Sequence, residues 1–185
     1  MPVNHQSSVR NGGYSLLEVL VALVIISIGL IGIAALQASA LAGTHTSQTE
    51  SIAAIEARSL ADSMLANPAF WDGGAAPTSS VTITPSGSGY SITGSSALAA
   101  TTNCAGGSNC SASDMAAYDI SKWTPEYFQQ IPTAVDAVIN CNTNVPPVCT
   151  IQLDWKEKAT TAINKGTQSN PASSTTVSYT LVNQF

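Results

Sequence analysis

Between Leu16 and Leu41 the chain carries an almost unbroken apolar run, and that run limits what the remainder can fold into. From Leu16 to Leu36 the only polar side chains are Glu18 and Ser27. About 20 consecutive apolar residues are enough for a helix to cross the hydrocarbon core of a bilayer. A plain membrane anchor is the simplest reading of such a run, and two details argue for more. Glu18 sits a few residues inside it, where an ionised carboxylate is costly and is usually retained for a partner. Before Tyr14 stand thirteen residues of a short polar segment, with Arg10 close to its Gly12-Gly13 ending.

A secretory signal places its small-residue cleavage site after the apolar run. Here the small residues precede it, so cleavage after Gly13 leaves the apolar helix on the mature chain. The competing reading of residues 1–13 is a cytoplasmic tail that is kept. Arg10 and His5 lie before the helix and few positive charges follow soon after it. The positive-inside rule then places the N-terminus in the cytoplasm.

Residues 14–67 contain no proline, and Pro68 follows Asn67. The pattern predicts one helix over about 15–66, roughly 80 Å long at 1.5 Å per residue. Its first half is apolar all round. Its second half is amphipathic, with Ile52, Ile55, Leu60, Met64 and Leu65 against Glu50, Glu56, Arg58 and Asp62, a stripe suited to carry a globular domain. Gly29 and Gly32 weaken the apolar half by about 1 kcal/mol each relative to Ala. Ala34-Ala38-Ala42 and Ala35-Ser39-Gly43 repeat small residues at fourfold spacing. Such faces let helices approach closely, although ordinary alanine usage explains them equally well.

Beyond the helix, 70–102 is rich in Gly, Ser, Thr and Pro. Val81–Thr84 and Tyr90–Thr93 flank Pro85-Ser-Gly-Ser-Gly89, which suits a hairpin, with a flexible display loop as the competing reading. Ser111-x-x-Asp114 has the form of a capping box opening a helix through Lys122, and Thr124-Pro125-Glu126 that of a second helix start. Within 111–131, Trp123, Tyr127, Phe128 and Ile131 are expected in the core. From Pro132 the apolar period switches to two: Val135, Ala137, Ile139; then Cys149, Ile151, Leu153, Trp155; then Val177, Tyr179, Leu181. Three strands over 133–185 with one apolar face fit an antiparallel sheet wrapped on the amphipathic half-helix. Asn142–Pro147 is the expected hairpin loop, and Lys156–Ser174 is polar and loop-like.

The chemistry available to the chain is limited. Net charge is −5 and the isoelectric point about 4.7, so no basic surface awaits nucleic acid. The four cysteines all lie beyond residue 100, and their spacings fit none of the short paired patterns of zinc sites. Three disulfide pairings are open; the local ones, Cys104–Cys110 and Cys141–Cys149, are expected, in an oxidising compartment. Of two histidines, His5 lies before the helix and His45 on it, so a Ser-His-Asp or Cys-His site would have to use His45. No H-E-x-x-H, phosphate loop, G-x-S-x-G or dinucleotide fingerprint occurs, and no catalytic carboxylate pair stands out. An enzyme is not expected, nor a metal or other cofactor.

The order of a short basic leader, Gly13, aromatic Tyr14, then Ser15-Leu16-Leu17-Glu18 and an apolar helix resembles the type IV prepilin class. Within that class, the stretch Tyr14–Gln37 with its Ser27-Ile-Gly-Leu-Ile-Gly32 segment resembles the PilV-type minor pilins, with the I-type pseudopilins of type II secretion next. The order Tyr118-Asp119, Trp123, Ile131-Pro132 is similar to the same group, though the likeness is strong only over the first quarter of the chain. Many major pilins carry a helix-bending proline in the apolar half; none occurs here, which points to a minor subunit.

The resemblance implies an α+β, pilin-like lollipop: leader 1–13, a transmembrane and filament-core half-helix 14–42, and a head 43–185. It implies that prepilin peptidase cuts between Gly13 and Tyr14 and methylates the new amine at Tyr14, where phenylalanine is usual. It implies that Glu18 serves assembly. The subunit would cross the inner membrane once with its head in the periplasm, then enter the fibre near its tip. Its implied partners are the major pilin, other minor pilins and a PilY-type tip adhesin, in a complex that primes fibres for twitching motility and adhesion. The alternatives are a type II secretion pseudopilin and a tip-displayed adhesin.

Only a residue without a side chain suits the close approach expected of a peptidase at position 13. Gly13→Val should therefore leave residues 1–13 attached, read as an unprocessed mass in the membrane fraction. A normally processed mass in that variant would count against the prepilin reading.

Overall fold

A computed structural model describes residues 13–72, 74–105, 109–158 and 174–185. All of the expected leader except Gly13 lies outside these residues, as does 159–173 of the expected polar loop. Helix α1 runs Leu16–Leu65, followed by α2 (Pro68–Trp71), β1 (Val81–Ser86), β2 (Gly89–Thr93), α3 (Ala112–Gln130), β3 (Ala134–Cys141), β4 (Val148–Lys158) and β5 (Ser174–Gln184). The chain divides into two compact units, one ending at Thr44 and one spanning His45–Phe185.

In the first unit every side chain described is exposed. The second unit is α+β. Its five strands form one antiparallel sheet in the order β2-β1-β3-β4-β5. The registers Ile139↔Ile151, Ala137↔Leu153 and Leu153↔Tyr179 bring the period-two apolar residues onto one face. Ala137, Ile139, Cys141, Cys149, Ile151, Leu153 and Trp155 are all buried, while Val177, Tyr179 and Leu181 of β5 are half-buried. Against that face lie the second half of α1 and the whole of α3, joined in one core cluster.

The β1–β2 hairpin forms within the Gly/Ser-rich segment, so the display-loop alternative does not describe it. Ser86 pairs with Gly89 across a two-residue turn, and Gly87 there has φ +57°, the positive value such turns require. Gly94, at φ +90°, closes the hairpin's far end, where an added Cβ would lie 2.1 Å from the Ser80 carbonyl oxygen. No other residue fits there. The hairpin also joins the sheet expected only over 133–185, since β1 pairs with β3. Phe70, Trp71, Val81, Ile83 and Leu98 of this segment are core residues. Its polar composition concealed them.

Three further expectations are corrected. The first concerns α3, which is one helix through Pro125, not two. The Ser111–Asp114 capping box opens it as expected. Pro125 is exposed, and the inward face Ala116, Ile120, Trp123, Thr124, Tyr127 keeps helical phase across it. Proline removes one backbone donor from the helix, and burial of Trp123 and Tyr127 on either side outweighs that loss. The second concerns Lys156–Ser174, expected as loop: β4 continues to Lys158 and β5 begins at Ser174, paired Lys158↔Ser174.

The third concerns the α1 stripe. Ile55 is 65% exposed and Leu65 47%, although both were expected inside. The buried face is instead Ala53, Glu56, Ala57, Leu60, Ala61 and Met64. Size misled the expectation, because the bulk here comes from α3. Trp123 and Tyr127 stack at 5.1 Å between ring centroids, and the Trp123 indole N–H donates to the Glu56 main-chain carbonyl at 3.0 Å. Alanines on α1 leave room for that approach. The expected burial of Leu60 and Met64 does occur, alongside Ile151 and Leu153.

Overpacking a filled face costs about 1–3 kcal/mol, whereas trimming an exposed side chain changes stability by about 0.5 kcal/mol or less. Ala57→Leu should therefore lower the unfolding temperature by several degrees, and Ile55→Ala should leave it nearly unchanged. Thermal unfolding of the full chain in detergent micelles compares the two.

Candidate functional site

The site that most of the sequence reasoning points to is the start of α1. Gly13, Tyr14 and Ser15 precede the helix, and Tyr14 is 84% exposed. The first amides of any helix lack intrahelical partners. Ser15 supplies one: its hydroxyl oxygen accepts from the Glu18 backbone N–H at 3.2 Å, and its carbonyl from the same N–H at 3.0 Å. Ser15 is thus the N-cap of α1, a role the sequence analysis missed although Ser15-x-x-Glu18 carries the usual cap pattern. Glu18 is the acidic residue of the first turn, where the helix dipole favours negative charge. Tyr14 and Glu18 are both exposed, and each is open to a partner from outside the chain.

From Glu18 onward the helix presents aliphatic side chains on all sides. Leu20, Val24, Ile28 and Ile31 are all about half exposed or more. No part of its most apolar window, of mean hydropathy 3.0, is buried, and α1 is long and apolar enough to cross a membrane. Several hydroxyls along α1 are satisfied on the helix itself. Ser27 donates to the Leu23 carbonyl at 2.7 Å, and Thr44 to that of Ala40 at the same distance. Such back-bonding lets a hydroxyl sit in hydrocarbon without an unpaired donor. Gly29 and Gly32 have open space around them, with no atom that a side chain would meet.

The second unit offers other groupings. Both disulfides in it are local, Cys104–Cys110 and Cys141–Cys149, and no described cysteine is free. The second joins directly opposed residues of β3 and β4 at the root of the Asn142–Pro147 loop. There the Asn142 side-chain oxygen accepts from the Val148 and Asn144 amides at 2.8 and 3.2 Å. Asp136 and Asp154 are opposed across β3 and β4. Burial holds the Asp136 carboxyl above the ordinary range, and the facing Asp154 adds to the effect. The Tyr127 hydroxyl donates to the main-chain carbonyls of both residues, and burial pushes its phenol up, with the two aspartates reinforcing. Glu56, expected on the polar face, is buried, and the sequence signal that could have found it is its place between Ala53 and Ala57.

His45 is exposed on α1, and no hydrogen bond ties it to a serine or a carboxylate among the described residues. Among those residues no three His, Cys, Asp or Glu side chains stand close enough to hold a metal ion. A cleft of about 340 Å³ between the hairpin and α3 is lined by Tyr90, Leu98, Asn103, Tyr118 and Lys122.

With this geometry in view, the prokaryotic N-terminal methylation motif matches residues 9–34. The match spans Gly13, Tyr14, the Ser15 cap, Glu18 and the apolar turns beyond. It indicates a type IV pilin-like or pseudopilin protein, a structural class whose members are processed by prepilin peptidase and assemble with other pilins. The motif with its apolar helix fits anchoring in a membrane first and incorporation in a pilus later. No curated protein and no solved structure matches the chain.

Losing an N-cap hydroxyl costs a helix about 1 kcal/mol. Ser15→Ala should therefore fray the first turn, read as roughly fivefold faster amide exchange at Glu18 and Val19 in micelles. Ser15→Asp should retain protection.

Proposed function

We propose that this chain is a minor pilin of the PilV type, cut between Gly13 and Tyr14, methylated at Tyr14, and assembled with other minor pilins and the major pilin at the fibre tip. The observation carrying the proposal is the methylation motif at residues 9–34, set on a helix long and apolar enough to cross a membrane. Supporting it, α1 continues without interruption into a disulfide-bearing α+β unit. The chemistry the chain undergoes is then proteolysis and methylation at its own N-terminus. The head, in this reading, faces the periplasm before assembly and the exterior afterwards.

Glu18 is the residue on which assembly turns. Cleavage creates an ammonium at Tyr14, beside an apolar surface. In a fibre, helices pack side by side with little water, so the amine and the Glu18 carboxylate each need a partner. Glu18 lies four residues, about one turn, beyond its own amine. It can pair within the subunit, or take the amine of an axially offset neighbour, as similarity to the pilins implies.

Removing one half of a buried ion pair costs about 3–5 kcal/mol, because the other charge is stranded. Glu18→Ala should therefore remove the subunit from sheared fibres while the processed protein stays at normal levels in membranes. Both fractions are measured in cells lacking the native chain. Wild-type amounts in both would leave Glu18 without an assembly role.

A further inference from the structure

Glu56 lies midway along the buried face of α1 and is 4% exposed. Its Oε1 accepts from the Gln130 side-chain amide at 2.6 Å, near the last turn of α3. Its Oε2 is enclosed and receives no hydrogen bond. Its main-chain carbonyl takes the Trp123 indole N–H. One residue of α1 thus holds α3 at two points seven residues apart. The groups facing it from α3 are Glu126, of like charge, and the neutral Tyr127. On the sheet, Asp136 and Asp154 act on Tyr127 rather than on Glu56. No cation features among the influences on Glu56.

A buried carboxylate with one oxygen unsatisfied and a like charge opposite is costly, and the neutral acid, which leaves no charge to desolvate, costs less. We infer that Glu56 is a proton-operated latch: protonated, it fastens α3 to α1, and ionised, it loosens the C-terminal turns of α3. Burial first, and Glu126 second, raise the affinity of this carboxyl for its proton, and the Trp123 indole N–H, which favours the ionised form, offsets only part of that rise. In the unfolded chain Glu56 ionises in the ordinary range near pH 4.5; in the folded chain it ionises higher. Its contribution to stability is thus fully present below the ordinary value and is lost as pH rises through the folded one. The face that α3 presents tightens in acidic surroundings and relaxes in neutral ones.

Glu56→Gln keeps the shape and the acceptor toward Gln130 while removing the charge. The full chain in detergent micelles should show wild-type unfolding temperatures falling from pH 5 to pH 8, and those of Glu56→Gln falling less. Amides of residues 123–130 should accordingly exchange faster in the wild type than in Glu56→Gln at pH 8, after correction for intrinsic rate, and equally at pH 5. Glu126→Gln should reproduce part of the effect. A Glu56→Gln chain that is less stable than wild type at pH 8, that fails to fold, or that keeps the wild-type pH slope would overturn the latch.

Discussion

The aliphatic side chains described on α1 between Leu16 and Leu41 are exposed, and such a surface demands cover. Leu16, Leu17, Ile25, Ile31 and Leu36 are each well over half exposed, and each such side chain gains about 1.5–3 kcal/mol when removed from water. Summed along the run, that is more than the whole net stability of an ordinary domain. Water is therefore not the medium in which this half of the helix resides. The methylation motif at its head and a length and hydropathy sufficient to cross a membrane point the same way.

The second unit solves a different problem, burying enough apolar area with few large aliphatic residues to spare. It does so by placing aromatic side chains from short helices onto small residues. Phe70 and Trp71 of α2 meet edge to face at 5.0 Å, and Trp123 stacks on Tyr127. Ala53, Ala57 and Ala61 on α1 and Ala116 on α3 are buried in the same core cluster as these rings. The Asn67 side-chain amide, buried between α1 and α2, donates to the Ala112 carbonyl at 2.7 Å and so fixes where α3 starts. Thr124 likewise donates to the Ile120 carbonyl, whereas Glu56 finds a side-chain partner for only one of its two oxygens.

Much of this could be read from residue order, and the limits of that reading have physical causes. Absence of proline from 14 to 67 located α1 within a residue or two, because proline is the strongest single helix breaker. Period-two alternation placed Ala137, Ile139, Ile151 and Leu153 inward, because one face of a sheet must be dry. Helical spacing misplaced the α1 stripe, where Ile55 is outside and Ala57 inside. Helical phase alone cannot tell a face packed by its own bulk from a face packed by a partner's. At Pro125 the tertiary gain at Trp123 and Tyr127 overrode a local helix-start signal, so that one helix runs through it. At the start of α1, Gly13, Tyr14 and Glu18 were legible from spacing and resemblance. The Ser15 cap was overlooked because attention went to the charge of Glu18 rather than to its amide.

A final consequence concerns what distinguishes one apolar helix from another. Lipid tails are as apolar as leucine, so moving α1 from bilayer to a bundle of similar helices gains little from the hydrophobic effect. What remains to discriminate is shape and polarity. Along the described part of the apolar half, shape is marked by the open surfaces at Gly29 and Gly32, and polarity by Ser27 and Glu18. Ser27 is already satisfied by Leu23, so it makes little demand on a neighbour. Glu18 is different, since its backbone amide is capped by Ser15 while its carboxylate is exposed. The charged side chain between Leu16 and Leu36 therefore lies within the first turn. There a dipole of the right sign, a free amine after cleavage and the edge of the hydrocarbon would coincide. A single carboxylate so placed can set axial register in a way that twenty aliphatic side chains cannot, because apolar contact is nearly indifferent to sliding and a charge pair is not.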